Sequence, residues 1–244
     1  MSSEIAANLE AVRRNIRAAC ERSGRDPADV TLIAVSKTKP AAAIEEALEA
    51  GAADFGENYV QELTAKIPYF EERGASVRWH MIGHLQKNKV KYLAGRTALI
   101  HSVDSVALAE QIEKEAAKKE TETDILLEVN VAGEESKWGF TAADVSGAAA
   151  EIRALPHVHV LGLMTSAPYT EDPETNRAHF RALSRLAREM ADAGLIEPPR
   201  DGFRTPVLSM GMSGDYTVAV EEGATIVRVG TSIFGHRDYS DKER

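Results

Sequence analysis

Val30-Thr31-Leu32-Ile33-Ala34-Val35 runs without a charge into Ser36-Lys37-Thr38-Lys39-Pro40. An apolar run of this length, closed by turn-forming residues, reads as a strand buried on both faces. A lysine at its C-terminal end is unexpected. An unpaired ammonium near a core is costly, and a chain that places one there generally uses it. Pro40 stands where a first helical turn would start, and Ile44, Ala47 and Leu48 form a stripe that stops at Gly51. Buried strand followed by amphipathic helix is the unit from which the rest of the chain can be read.

Upstream, Ile5, Leu9, Val12, Ile16 and Ala19 recur at helical spacing up to the stop signal Ser23-Gly24. Downstream, strands are expected at Ala53–Gly56, Val77–Gly83, Ala98–Val103, Asp124–Val131, Val158–Met164, Pro206–Met210 and Thr225–Val229. Between them fall helical patterns. Asn58 is expected to cap one carrying Val60, Leu63 and Ile67, and Asp104 one carrying Leu108, Ile112 and Ala116. A basic helix is expected over Gln86–Leu93. Thr141 and Asp144 have capping-box spacing, and Asp172-Pro173 opens a long helix with Phe180, Leu183, Leu186 and Met190 inward. Eight strands alternating with helices imply parallel strands with right-handed crossovers. In this length they favour an α/β fold of the closed (β/α)8 TIM-barrel type, one domain over residues 1–244, with an extra N-terminal helix. A doubly wound open sheet competes, but no Gly-rich dinucleotide fingerprint follows the first strand.

The bulk properties narrow the function. A net charge of −9 argues against a general nucleic-acid binder. The single cysteine, Cys20, forbids an intramolecular disulfide and reads as a small core residue. No apolar stretch is long enough to span a bilayer and no signal peptide precedes the first helix, so a soluble, cytoplasmic protein is expected. Nothing exposed and apolar argues for an oligomer, and a monomer is expected.

In such a barrel, chemistry gathers at the C-terminal strand ends. Those ends carry Lys37, then Glu57 and Asn58, then His80 and His84, then His101, Ser102 and Asp104, and after the fifth strand Asn130 and Lys137. The sixth ends in Met164-Thr165-Ser166, the seventh in Ser209 to Gly214, the eighth in Arg228, Gly230 and Thr231. Gly230-Thr231-Ser232 opens a helical turn whose N–H groups suit an anion, and the hydroxyls of Ser209, Ser213 and Thr231 can donate beside it. The alternative is that Gly214 and Gly230 only make tight turns. Lys37 together with a phosphate site suggests pyridoxal phosphate held as a Schiff base, since a neutral lysine amine attacks aldehydes. Lys37 could instead bind a phosphate by charge alone, and Lys137 is the second choice of amine. His80 and His84 have the spacing of a metal pair but lack further ligands. Lys87, Lys89 and Lys91 read as a solvated face.

The segments TLIAVSKTKP, FGENYVQE, WHMIGHLQKNK, HSVDS, LEVNVAGEESKWGF, LGLMT, SMGMSGDY and VRVGTSIFG resemble, in order and over nearly the whole chain, the pyridoxal phosphate homeostasis protein family. That family is similar to the N-terminal barrel of alanine racemase. The resemblance implies that Lys37 holds the cofactor, that Ser209, Gly230 and Thr231 contact its phosphate, and that Arg228 lies beside the pyridine nitrogen. It implies that Asn58, Met164 and Ser213 line the pocket. An arginine there can only donate, which keeps the ring a weak electron sink and damps carbanion chemistry. Two-base racemization needs a second base, which the racemase draws from a C-terminal β-domain. This sequence stops at Arg244, soon after the last strand, so no such domain is expected, and Tyr216 and Tyr239 have no evident claim to the role. The implied role is to bind, store and deliver pyridoxal phosphate, with apo forms of pyridoxal-phosphate enzymes as recipients and no catalysis. A weak amino-acid racemase is the alternative.

Overall fold

The opening run forms β1 (Thr31–Val35) and α2 (Ala41–Glu49), preceded by α1 (Glu4–Ser23). The unit then repeats through β2 (Asp54–Glu57), α3 (Val60–Glu71), β3 (Arg78–Met81), β4 (Leu99–Val103), α4 (Val106–Lys118) and β5 (Thr123–Glu128). It continues through α5 (Val145–Ile152), β6 (Val158–Met164), α6 (Arg177–Asp192), β7 (Val207–Ser209), α7 (Tyr216–Glu221), β8 (Ile226–Val229) and α8 (Thr231–Phe234). The computed structural model describes residues 3–134, 138–200 and 202–235. Each strand pairs in parallel with the next, and β8 closes on β1 with Ile33 opposite Arg228. The expected closed barrel with its extra first helix is therefore present. Among the described residues no helix is long and apolar enough to cross a membrane.

Alternation along the strands divides the apolar residues into two cores. Ala34, Phe55, Ile125, Leu127, Leu208 and Val227 face outward and pack under the helices. Their strand neighbours Ile33, Leu126, Val207 and Ile226 join Val35, Leu99, Leu161 and Met164 in a second cluster inside the barrel. Under the helices, Trp79 lies between Phe55 and Phe70, at centroid distances of 6.0 and 5.8 Å. Each such ring contributes about 2–3 kcal/mol by burial. On α1, Ser3 accepts from the N–H of Ala6, and Gly24 takes the left-handed conformation (φ 66°) that closes the helix.

Several local expectations need correction. Asn58 is not a helix cap: Tyr59 holds that position, with no side-chain bond. Ser105 caps α4 by accepting from Leu108 N, and Asp104 instead receives the Ser105 hydroxyl. Gln86–Leu93 is a 3-10 helix (Lys87–Tyr92), which buries only Val90 and so lacks the stripe that holds an α-helix to a core. Asp172 caps a 3-10 turn (Pro173–Asn176) that leads into α6, where Leu186 is only half-buried.

Candidate functional site

The C-terminal strand ends open onto a cavity of about 530 Å³, within the usual range for a small-molecule site. Six of the eight expected site residues line it: Lys37, Asn58, Ser213, Arg228, Gly230 and Thr231. Val35, Ile82, Pro168 and Met212 add apolar wall.

Lys37 sits in a braced turn. The Ser36 N–H donates to Gly56 O on the neighbouring strand at 3.0 Å. Beneath it, Lys66 Nζ donates to Ser36 O at 2.9 Å and to Glu57 Oε1 at 2.7 Å, and the Ser36 hydroxyl donates to the same carboxylate oxygen at 2.6 Å. Glu57 is fully buried, and its Oε2 has no hydrogen-bond partner. Burial raises its carboxyl above the ordinary value, against the opposing pull of Lys66 and Ser36. After the lysine, Thr38 adopts a left-handed conformation (φ 62°) that a β-branched residue resists. Its N–H is held by Glu62 Oε2 at 2.7 Å. Lys39 turns away and caps the carbonyl of Phe234 at 2.8 Å, tying the turn to α8.

Beside it, across the seam between β1 and β8, the Ser213 hydroxyl accepts from the N–H groups of Gly230 (3.2 Å) and Ser232 (3.4 Å). Donors that converge in this way at a first helical turn form a place for an anionic oxygen. The loop carrying Ser213 is held by Asp215, which accepts from Met212 N at 2.7 Å and from Asn176 at 2.8 Å. Gly230 passes close to β1: a Cβ there would lie 3.3 Å from both Val35 Cβ and Val35 O. Arg228 forms part of the floor and is buried. It donates from Nη1 to Ser209 Oγ at 2.6 Å and from Nη2 to Thr165 O at 2.9 Å. Burial lowers its pKa to about 10, resisted by the charges of Glu128 and Asp215, so the guanidinium stays cationic at neutral pH.

Two expected residues lie elsewhere. Ser209 is fully buried below the cavity, its hydroxyl engaged by Arg228 and by His101 (2.8 Å), so it is not presented to a phosphate. Met164 is likewise buried inside the barrel, among Ile33, Val35 and Leu161. Lys137 and Tyr239 fall outside the described residues. His80 and His84 do not converge. His80 is a buried interior residue, while His84 stacks on Trp138 at 4.1 Å and pairs with Asp104 at 3.2 Å. Among the described residues no group of three His, Cys, Asp or Glu could hold a metal ion. The sequence reading missed Tyr169, an almost fully exposed residue of the cavity rim, and Lys66. Pro168-Tyr169-Thr170, just beyond the sixth strand end, was the available signal for Tyr169.

The fold and site define a closed parallel barrel whose mouth brings a lysine, a turn with convergent N–H donors and a buried guanidinium to one cavity. The profile of the family described as alanine racemase, N-terminal domain, matches residues 7–238. A protein of Aquifex aeolicus named pyridoxal phosphate homeostasis protein is 45% identical over 231 residues, covering 95% of this chain and 97% of its own. One of the same name from Escherichia coli strain K12 is 40% identical over 241 residues, covering 98% and 100%. The chain belongs to the pyridoxal phosphate homeostasis protein family, within the alanine racemase N-terminal-domain group. Among solved structures, PipY of Synechococcus elongatus with pyridoxal phosphate bound is 36% identical with a TM-score of 0.78, covering 95% of this chain and 100% of that one. A Bifidobacterium adolescentis protein described only as unknown is 37% identical with a TM-score of 0.85, covering 95% and 94%. Alanine racemase of Corynebacterium glutamicum, at 19% identity and a TM-score of 0.67, shares the fold.

Proposed function

We propose that the protein binds pyridoxal 5'-phosphate in this cavity, stores it on Lys37 and delivers it to apo enzymes, without turning over a substrate of its own. The observation that carries the reading is that Lys37, Arg228, Ser213 and the Gly230–Thr231 turn all line one cavity. The donor set fits the cofactor: N–H groups for its phosphate, a fixed guanidinium for its ring nitrogen, and a lysine amine for its aldehyde. When bound, the cofactor supplies an electrophilic carbon and an electron-accepting ring. The chain's residues then hold and orient it. Gly230, Thr231 and Ser213 take the phosphate, Lys37 the aldehyde carbon, and Asn58 part of the wall. Arg228 has both Nη groups committed to protein acceptors and can offer the ring nitrogen only an N–H, never accept a proton from it. That leaves the ring a poor sink for carbanion charge and suits storage over catalysis. In this reading the protein works as a cytoplasmic monomer that needs neither nucleic acid nor membrane.

Purified protein should show a visible absorbance band with the cofactor that Lys37→Ala abolishes and Lys137→Ala leaves. Borohydride reduction should fix the adduct on the Lys37 peptide, and an adduct on another lysine would overturn the assignment. The racemase alternative needs a second base, and Tyr169 on the cavity rim is the phenol to test for it. α-Proton exchange of L- or D-alanine in deuterated water, lost in Tyr169→Phe, would establish that alternative and end the carrier reading.

A further inference from the structure

The barrel interior holds more than apolar packing. A hydrogen-bonded chain crosses it from the first residue of β2 to the cavity floor. Asp54 Oδ1 lies 3.0 Å from His80 Nε2, and His80 Nδ1 lies 3.0 Å from His101 Nε2. His101 Nδ1 lies 2.8 Å from Ser209 Oγ, which lies 2.6 Å from Arg228 Nη1. The middle members, His80, His101 and Ser209, are all fully buried and come from three strands.

The direction of every proton is set from the two ends. A guanidinium only donates and a carboxylate only accepts. Burial lowers the pKa of both rings, against the pull of Asp54 at His80 and with His80 and then Arg228 adding to the effect at His101, which favours neutral rings that each carry one N–H. Asp54 takes the Nε2–H of His80, leaving Nδ1 of that ring as an acceptor. His101 must then donate from Nε2 and accept at Nδ1. Ser209 therefore gives its proton to His101 and accepts from Arg228. The chain reads one way, from the Arg228 guanidinium to the Asp54 carboxylate, with no donor or acceptor mismatched.

We propose that His101, His80 and Asp54 are positioning residues that aim Arg228 at the ring of the bound cofactor, acting through Ser209 from across the barrel. A free serine hydroxyl can rotate and donate to whatever lies near it. Here His101 takes its proton, which turns a lone pair toward Nη1 and fixes the plane of the guanidinium. Thr165 O fixes the other Nη group. A side chain buried so far from the cavity thus helps decide what the ring nitrogen meets. The proposal rests on the cavity being a pyridoxal phosphate site, so its test has one arm that needs no cofactor.

In cofactor-free protein, 15N spectra of the imidazoles should show both His80 and His101 protonated on Nε2. The Arg228 guanidinium protons should be separately resolved because rotation is blocked. His101→Leu should merge the Arg228 signals, while His101→Gln, whose amide can accept from Ser209 and donate to His80, should keep them apart. With pyridoxal phosphate added, His101→Leu should displace the visible band and weaken binding by about tenfold, as loss of a supporting partner generally does. His101→Gln should restore both. A control cavity at Leu126, also buried inside the barrel, should lower thermal stability without moving the band. Either ring protonated on Nδ1, or a loaded His101→Leu protein with the wild-type band and affinity, overturns the proposal. A wild-type protein with the expected tautomers but no visible band on cofactor addition overturns the carrier reading and with it the aim of the chain at a cofactor.

Discussion

Replacing Lys66 by methionine tests how the lysine turn is held. The substitution keeps most of the side-chain volume and removes the ammonium that joins Ser36 O, at 2.9 Å, to Glu57 Oε1, at 2.7 Å. Glu57 is left fully buried with only the Ser36 hydroxyl as partner, since its Oε2 has none. Removing one member of a buried pair costs about 3–5 kcal/mol. The Lys66 side chain is still 12% exposed, which puts the loss at the lower end, about 3 kcal/mol near pH 8. The loss depends on pH in a defined sense. Burial already holds the Glu57 carboxyl above its ordinary value with Lys66 in place, and without Lys66 it rises further. A carboxyl raised in the folded state contributes stability that is fully present below its unfolded value and is lost as pH rises through the folded value. Lys66→Met should therefore lie closest to wild type in acid and fall away toward pH 8. Urea unfolding at about pH 5.5 and about pH 8 measures this directly. Glu57→Gln added to Lys66→Met should recover about 2 kcal/mol at the higher pH, because a neutral amide can still accept from Ser36. An equal loss at both pH values, or a double variant no more stable than the single, would refute the reasoning.

Gly83→Ala should cost about 1–3 kcal/mol and weaken cofactor binding, read by thermal melting and titration. Its Cβ would clash with Asn58 O and lie 2.7 Å from Asn58 Cα, so the cavity wall itself must move. Gly147→Ala, within α5 with nothing within 4 Å of the new Cβ, should instead stabilise by about 0.5–1 kcal/mol. Burial raises the Glu128 carboxyl to about 7, with Arg228 pulling it down and Asp104 pushing it up. Stability from its neutral form is therefore lost as pH rises through about 7, and Glu128→Gln should flatten that slope by about 1–2 kcal/mol after allowance for its partial exposure.

The barrel was legible because apolar runs and helical stripes alternate along the chain, and burial of one strand face beneath helices demands that pattern. The errors lie where one residue of register changes the outcome. Asn58 and Tyr59 are neighbours, as are Asp104 and Ser105, and any of the polar ones has a cap-forming side chain, so only backbone geometry chooses between them. Ser209 and Ser213 are both hydroxyls of one strand end, yet one points into the barrel and the other lies over the α8 turn. Partners far apart in sequence left no local trace. His80 meets His101, and His101 meets Ser209 at a separation of 108 residues, only because the strands that carry them surround one interior. Lys66 reads as an ordinary polar position of α3, and nothing in its own segment points to Ser36.

Closure of the barrel is what makes the site, and this explains why its parts come from opposite ends of the chain. Ile33 faces Arg228 and Ala34 faces Val229 across the β1–β8 seam, so the turn carrying Lys37 and the turn carrying Thr231 emerge side by side. Gly230 permits the approach, because a Cβ would crowd Val35 at 3.3 Å. Lys39 then ties the two turns together through Phe234 O. An open sheet with the same strands would keep every residue of the motif and lose the cavity, since β1 and β8 would lie at distant edges. Binding energy for a ligand that touches both turns must therefore also hold the seam shut. By linkage, such a ligand should protect the backbone amides of β1 and β8 from hydrogen exchange more than those of β4 and β5. Protection spread evenly around the ring would mean that the seam is no weaker than its neighbours and that closure is secured without the ligand.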